Sequence, residues 1–208
     1  EMQRSLVGSE MCIRDRSCRA LLDAIEDGNR ADGINIIALF DHEEIGSNSK
    51  QGAASIMLHD MLRRILRNMD LSENEIDESI YDAMLLSVDV AHALHPNKKE
   101  KMDITNMPVM GKGFCIKQAC SQSYATDAQA IAILCQLCDE KGIPYQRFVN
   151  RSDSRGGSTL GSIAGTLLPV KTVDIGIPIL AMHSACELMG VRDMKALSDC
   201  VTAFFGYH

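Results

Sequence analysis

The residues with the most to offer chemically fall in four places. Asp41, His42, Glu43 and Glu44 are consecutive; Asp89 is followed by His92 and His95; Asp153 heads a Gly-rich stretch; and His183 stands in Ala181-Met182-His183-Ser184. Carboxylates and imidazoles are the donors that divalent ions such as zinc take. Adjacent glutamates leaving a strand point in different directions, so one can hold a metal while the other takes a proton from water. Metal-assisted hydrolysis needs that division of labour. Each member also has a plainer reading. Acidic pairs are common on solvated loops, an Asp at a strand end can cap the next turn, His92 and His95 can be turn residues, and His183 alone can be a hydrogen-bonded structural histidine. Asp89 is the least bland of them, because it interrupts an apolar run where an unpaired charge would be costly.

The elements that must carry these residues alternate between strand and helix. Residues 34–40 (INIIALF) form a near-continuous apolar run of strand length, the pattern of a strand buried on both faces. Further strands are expected at 84–90, 113–117, 145–149 and 172–177. Helices are expected at 18–25, 47–68 (with Ser47 or Ser49 as cap), 71–81 (opened by a Ser72/Glu75 capping box), 124–141, 158–168 and 191–204. Gly142 and Pro144 stop the helix before residue 145. The order implies an α/β layered fold with a mainly parallel sheet flanked by helices. In such folds, chemistry gathers at the carboxyl ends of strands, which is where all four clusters fall.

Bulk properties exclude other classes. The chain has 208 residues, 46% hydrophobic and 24% charged, which is enough for one ordinary core. A net charge of −7, 4% aromatic residues and no Trp argue against a nucleic-acid binder. No apolar run is long enough to span a membrane, and no signal peptide is visible, so a cytoplasmic location is expected. Eight unevenly spaced Cys then read as reduced thiols. Cys135 and Cys138 form a Cys-x-x-Cys with no second pair at zinc-finger spacing, and they read as helix positions.

Residues 6–16 (LVGSEMCIRDR) show neither helical nor strand periodicity. They match a translation of a common transposase sequencing adapter. Residues 1–16 are therefore expected to be an artefact of sequence assembly, with 17–208 the genuine portion and Asp15 not a functional carboxylate.

Four motifs together resemble the aspartyl aminopeptidase family of dinuclear zinc exopeptidases: DHEEIGS (41–47), SVDVAHALHPN (87–97), the IK…YATDA segment (116–128) and AMHS (181–184). They stand in the right order at compatible spacing, and the likeness extends from Ser17 to the C-terminus. The resemblance implies a zinc-exopeptidase-like fold truncated at its N-terminus. It implies Glu43 as the general base, Glu44 and His183 as ligands of one zinc, and Asp89 as a ligand of the other. Lys117 would face the side-chain carboxylate of an acidic N-terminal residue, Tyr124 would line that pocket, and His92 would lie near the metals. The turn at 153–161 would supply backbone donors.

The resemblance further implies parts that this sequence does not carry: a His ligand, a bridging Asp, and a second domain that mediates dimer contacts. Peptides would be the substrates, and the complete protein would be a homo-oligomer. Two alternatives stay open, a related dinuclear aminopeptidase of neutral specificity and a non-catalytic remnant of the fold.

Overall fold

The computed structural model describes residues 7–28, 33–154 and 156–207, with side chains from residue 11 onward. The elements are α1 (Val7–Glu26), a 3-10 turn (Glu43–Ile45), α2 (Met57–Arg67), α3 (Glu73–Asp82), β1 (Met84–His92), β2 (Phe114–Gln118), α4 (Ala128–Lys141), β3 (Tyr145–Val149), α5 (Leu160–Ala164), β4 (Lys171–Leu180), β5 (Leu188–Met189) and α6 (Val191–Phe205). The sheet runs β1-β4-β2-β3, with β5 pairing β4. The long pairing of β1 with β4 is parallel, as is that of β2 with β3. The shorter contacts of β4 with β2 and β5 are antiparallel.

Side chains alternate across a strand with period two, and here that sorts packing from chemistry. Val173, Ile175, Ile177 and Ile179 of β4 join Phe114 and Ile116 of β2 on one face. They pack against Ala20 and Ala24 of α1, Leu134 and Cys138 of α4, and Leu197 and Cys200 of α6. Cys115 belongs to a second cluster with Ala91, Tyr124 and Phe148. Lys117, on the same parity as Cys115, touches the ring of Tyr124. The polar residues of the sheet therefore collect on the face away from the three long helices.

Several expectations are met through local signals. Ser72 Oγ accepts from the Glu75 backbone N–H, and the Glu75 side chain accepts from the Ser72 backbone N–H, giving the capping box at the start of α3. Gly142 adopts φ +66° and closes α4, the left-handed conformation that glycine takes without penalty. Cys138 lies buried on α4, its Sγ 3.9 Å from that of Cys200 on α6, so the Cys-x-x-Cys is part of the helix packing.

Three expectations are corrected. Residues 34–40 are not a strand of the sheet, and Ile34, Ile36 and Leu39 are exposed. An apolar run states what a strand needs on its faces and cannot state whether neighbours exist to pair with it. The helix expected at 47–68 begins only at Met57, without a side-chain cap. The chain from 47 to 56 is a series of tight turns, because Ser47 sits at φ +60° and Ala54 N donates back to the Ser47 carbonyl. Residues 7–16, read as lacking periodicity, continue α1 upstream of residue 17. Once nucleated, a helix extends at small cost per residue, and Ile13 lies on the buried side with Ala20 and Ala24.

Candidate active site

Two sharply turned loops carry the acid and imidazole groups. In the first, His42 takes φ +62°, the 3-10 turn follows with Glu43 and Glu44, and Gly46 (φ +100°) and Ser47 return the chain. The Ser47 N–H donates to the His42 carbonyl at 2.8 Å, and His42 Nδ1 lies 2.8 Å from Ser49 Oγ. In the second, between β4 and β5, Ala181 and His183 both have positive φ. The His183 N–H donates to Glu187 Oε1 at 2.8 Å, and the Ser184 N–H donates to the Ala181 carbonyl at 2.9 Å. Four of the six described non-glycine residues with positive φ thus lie in these two loops. Such conformations cost on the order of 1–3 kcal/mol each and gather where geometry serves function.

The two loops meet. His183 Nε2 and Glu44 Oε2 are 3.3 Å apart, on partly exposed side chains. Across the sheet, Lys117 Nζ donates to Asp89 Oδ2 and to the Val90 carbonyl, each at 2.9 Å. Lys117 is 3% exposed, and its ammonium lies 4.6 Å from the centre of the Tyr124 ring. β1 and β2 are not neighbours; Gly176 of β4 stands between them, opposite Asp89 on one side and Cys115 on the other. A glycine leaves open the space that Lys117 needs to reach Asp89. Tyr124 in turn accepts a hydrogen bond at its Oη from Asn150 Nδ2 at 3.0 Å.

His92 ends β1. Desolvation, then the positive charges of Lys117 and His183, hold its imidazole below the usual range, against the pull of Asp89. Part of its surface still reaches solvent. His95 lies at a turn, and its Nδ1 accepts from the Asn97 N–H at 3.1 Å. Asp153 is exposed and pairs with Arg151 at 2.7 Å.

All seven residues expected to serve the site, Glu43, Glu44, Asp89, His92, Lys117, Tyr124 and His183, line one cavity of about 940 Å³. Met182 and Glu187 line it too. Sequence reasoning passed over Glu187, although its position four residues after His183 in a short hairpin was a usable signal.

Beneath the site lies a buried support that sequence reasoning also missed. Asp174 of β4 is fully buried, and its Oδ2 accepts from the Ala125 N–H at 2.6 Å. The Thr126 hydroxyl donates to the Lys117 carbonyl at 2.6 Å and accepts from the Asp174 N–H at 3.0 Å. Ser87 Oγ accepts from the Gly161 N–H at 3.1 Å. Burial pushes the Asp174 carboxyl up, and the nearby Ser87 and Thr159 hydroxyls pull it partly back. Asp174 Oδ1 and Thr159 Oγ1 nonetheless lack a partner at hydrogen-bonding geometry among the described residues. A proton on Oδ1 would give that oxygen a bond to donate.

Zinc ordinarily takes four ligands, three of them from protein in a catalytic site. Among the described residues no three His, Cys, Asp or Glu side chains converge closely enough to hold an ion. Glu44 and His183 supply two adjacent donors, and one oxygen of Asp89 is engaged by Lys117. The donors suit zinc in kind and fall short in number.

Comparison with known proteins gives the family. The model of "Aminopeptidase I zinc metalloprotease (M18)" matches residues 13–205. The chain is 45% identical over 174 residues to "Probable M18 family aminopeptidase 2" of Clostridium novyi, covering 84% of this chain and 40% of that protein. It is 37% identical to "Probable aspartyl aminopeptidase" of Ricinus communis, covering 94% of this chain and 40% of that protein. Among solved structures, a chain of the Ape4 and Nbr1 complex superposes with a TM-score of 0.89 at 33% identity, covering 96% of this chain and 38% of that one. An M18 aminopeptidase from Thermotoga maritima has the same fold, with a TM-score of 0.79 at 24% identity, covering 92% of this chain and 44% of that one. The chain spans about 40% of the length of the relatives it matches. From the match over nearly its whole length, the chain belongs to the M18 family of aminopeptidase I zinc metalloproteases.

Proposed function

We propose that this chain is the catalytic portion of a zinc-dependent aminopeptidase that removes N-terminal residues, Asp and Glu foremost, from peptides. The observation that carries this reading is the convergence of all seven expected residues on one cavity, with Glu44 and His183 already 3.3 Å apart. Glu44 and His183 would hold one zinc and Asp89 the other, with the remaining ligands coming from outside this chain. Bound zinc supplies a Lewis acid that polarises the scissile carbonyl and acidifies water. Glu43 shares the turn and the cavity with Glu44, and as general base it would take the proton of the attacking water and return it to the departing amine. His92, at the end of β1, lines the same cavity and offers an imidazole to a bound peptide. The likeness to a protein named as an aspartyl aminopeptidase supports acidic specificity. So does a buried ammonium, Lys117, on the cavity wall. The mApe1 of yeast, which shares this fold, is a dodecamer, and a homo-oligomer is proposed for the complete protein.

One observation favours the neutral-specificity alternative. Lys117 is already engaged by Asp89 and the Val90 carbonyl, so a substrate carboxylate would have to share it. The full-length protein separates the readings. Glu43→Gln with zinc content retained is expected to lower kcat at least about 100-fold, the ordinary contribution of a general base; near-normal turnover would sink the assigned role. Lys117→Ala is expected to abolish preference for N-terminal Asp and Glu over Ala in kcat/KM; an unchanged ratio would remove Lys117 from that role, and a wild-type ratio near one would establish neutral specificity.

A further inference from the structure

Lys117 and Tyr124 stand on different segments, and what fixes one against the other lies outside the cavity. β2 pairs antiparallel with β4 through Cys115, Ile116 and Lys117, which lie opposite Gly176, Ile175 and Asp174. Lys117 is the last rung of that ladder. Beyond it β2 ends at Gln118, and the chain comes back at 124–127 to run beside β4.

This return is held by side chains as much as by backbone. The Ala125 N–H donates to Asp174 Oδ2 at 2.6 Å. The Asp127 N–H donates to the Thr172 carbonyl at 3.1 Å, and the Thr172 N–H donates to Asp127 Oδ2 at 3.0 Å. Between these bonds lies the Thr126 hydroxyl. It accepts from the Asp174 N–H at 3.0 Å and donates to the Lys117 carbonyl at 2.6 Å. A hydroxyl both donates and accepts, so it can serve both members of the last rung at once. Three segments are thereby clipped together: the end of β2, the loop that carries Tyr124, and β4.

The clip has firm backing. Asp174 is fully buried, and a Cβ at Gly161 of α5 would stand 2.8 Å from its Oδ1. The Thr159 N–H, just before α5, donates to the Ser123 carbonyl at 3.2 Å. Lys117 and Tyr124 are 3% and 6% exposed, so neither side chain has room to absorb a shift of its own backbone. Neither Thr126 nor Asp174 lines the cavity, so neither touches a substrate there.

We infer that Thr126 is a positioning residue for substrate selection. Its hydroxyl sets the backbone of Lys117 against that of Tyr124, and so sets where the ammonium stands beside the ring. The inference rests on the reading that Lys117 faces the first side chain of the peptide. Charge pairing weakens with distance, and charge-assisted hydrogen bonds need a short approach. Selection of a carboxylate is therefore the property that a shifted ammonium alters. A neutral first side chain makes no such demand, and Glu43, Glu44 and His183 stand on other loops. Loss of the clip weakens acidic substrates selectively.

The full-length protein tests this through Thr126→Val, Thr126→Ala and Thr126→Ser, with Lys117→Ala in parallel. The substrates are peptides that differ only in an N-terminal Asp or Ala. In Thr126→Val, which keeps the shape and removes the hydroxyl, kcat/KM for Asp over Ala is expected to fall about tenfold, less than a full ångström of misplacement can cost. The loss should sit in KM for the Asp peptide, with kcat for the Ala peptide within about twofold of wild type, the mark of lost binding rather than lost chemistry. Thr126→Ser keeps the hydroxyl and is expected to restore the ratio. Thr126→Ala gives the same reading should the valine variant fail to fold. A wild-type ratio in the variant without the hydroxyl, where Lys117→Ala abolishes the preference, would overturn the inference and leave the reading of Lys117 standing. So would an equal loss for both peptides, which marks a role in stability alone. An unchanged ratio in Lys117→Ala, or a wild-type ratio near one, would take down that reading and the inference with it.

Discussion

At the scale of single residues, burial of a charge without full pairing has the clearest consequences, and Asp174 is the informative case. Its carboxyl is raised from an ordinary value of 3.8 by burial. A raised acid binds more protons folded than unfolded, so its contribution to stability falls as pH rises from about 4 through the folded value. Asp174→Asn keeps an acceptor for the Ala125 N–H and gains a donor toward the Ser87 and Thr159 hydroxyls. It is expected to remove that downward slope in urea denaturation and to keep or raise stability at pH 7. Asp174→Ala leaves the Ala125 N–H buried without a partner, and a loss of about 1–3 kcal/mol is expected in the same measurement. Equal slopes in wild type and Asp174→Asn would mean the carboxyl does not titrate in that range.

At the scale of elements, the site depends on three strands arranged so that one missing side chain makes a path. Lys117 on β2 reaches Asp89 on β1 over Gly176 of β4. A Cβ at 176 would stand 2.7 Å from the Val90 carbonyl carbon, closer than such atoms approach, so β1 must shift. Gly176→Ala is therefore expected to lower stability by about 1–3 kcal/mol, the usual effect of overpacking. It should also loosen the Lys117–Asp89 pair, read as a chemical-shift change at the Lys117 ammonium; wild-type melting with an unmoved resonance would show that the pair does not depend on the glycine. Elements with their own punctuation were legible in the sequence: α3 through its Ser72/Glu75 box, α4 through Gly142, and β3 through its flanking turns. The 47–56 turns were not, because left-handed backbone at Ser47 depends on hydrogen bonds to residues that helix periodicity does not record.

For the whole molecule, the donors available for metal set the expectation. With two adjacent donors at Glu44 and His183, and Asp89 engaged by Lys117, the 208-residue chain is expected to hold less than one tightly bound zinc after dialysis. Elemental analysis checks this, and two ions per chain would show that these residues suffice. Glu44→Ala with His183→Ala should remove whatever metal the chain retains. No helix among the described residues is long and apolar enough to cross a membrane. The exposed apolar side chains at Ile34, Ile36 and Leu39 line the cavity that holds the site.

The sequence by itself determined the residue types of the site and the order of their motifs, because Glu43, Glu44, Asp89 and His183 each follow or end a short apolar run that an α/β reading closes there. It determined most helices and strands for the same reason: caps, glycines and period-two or 3.6-residue patterns are local. Only the tertiary structure decided which residues are partners. That Lys117 is committed to Asp89, that Asp174 supports the loop carrying Tyr124, and that 34–40 pairs with no strand among the described residues all depend on contacts between segments far apart in the chain. Pairing is a property of two segments, and a pattern read along one of them carries no record of the other.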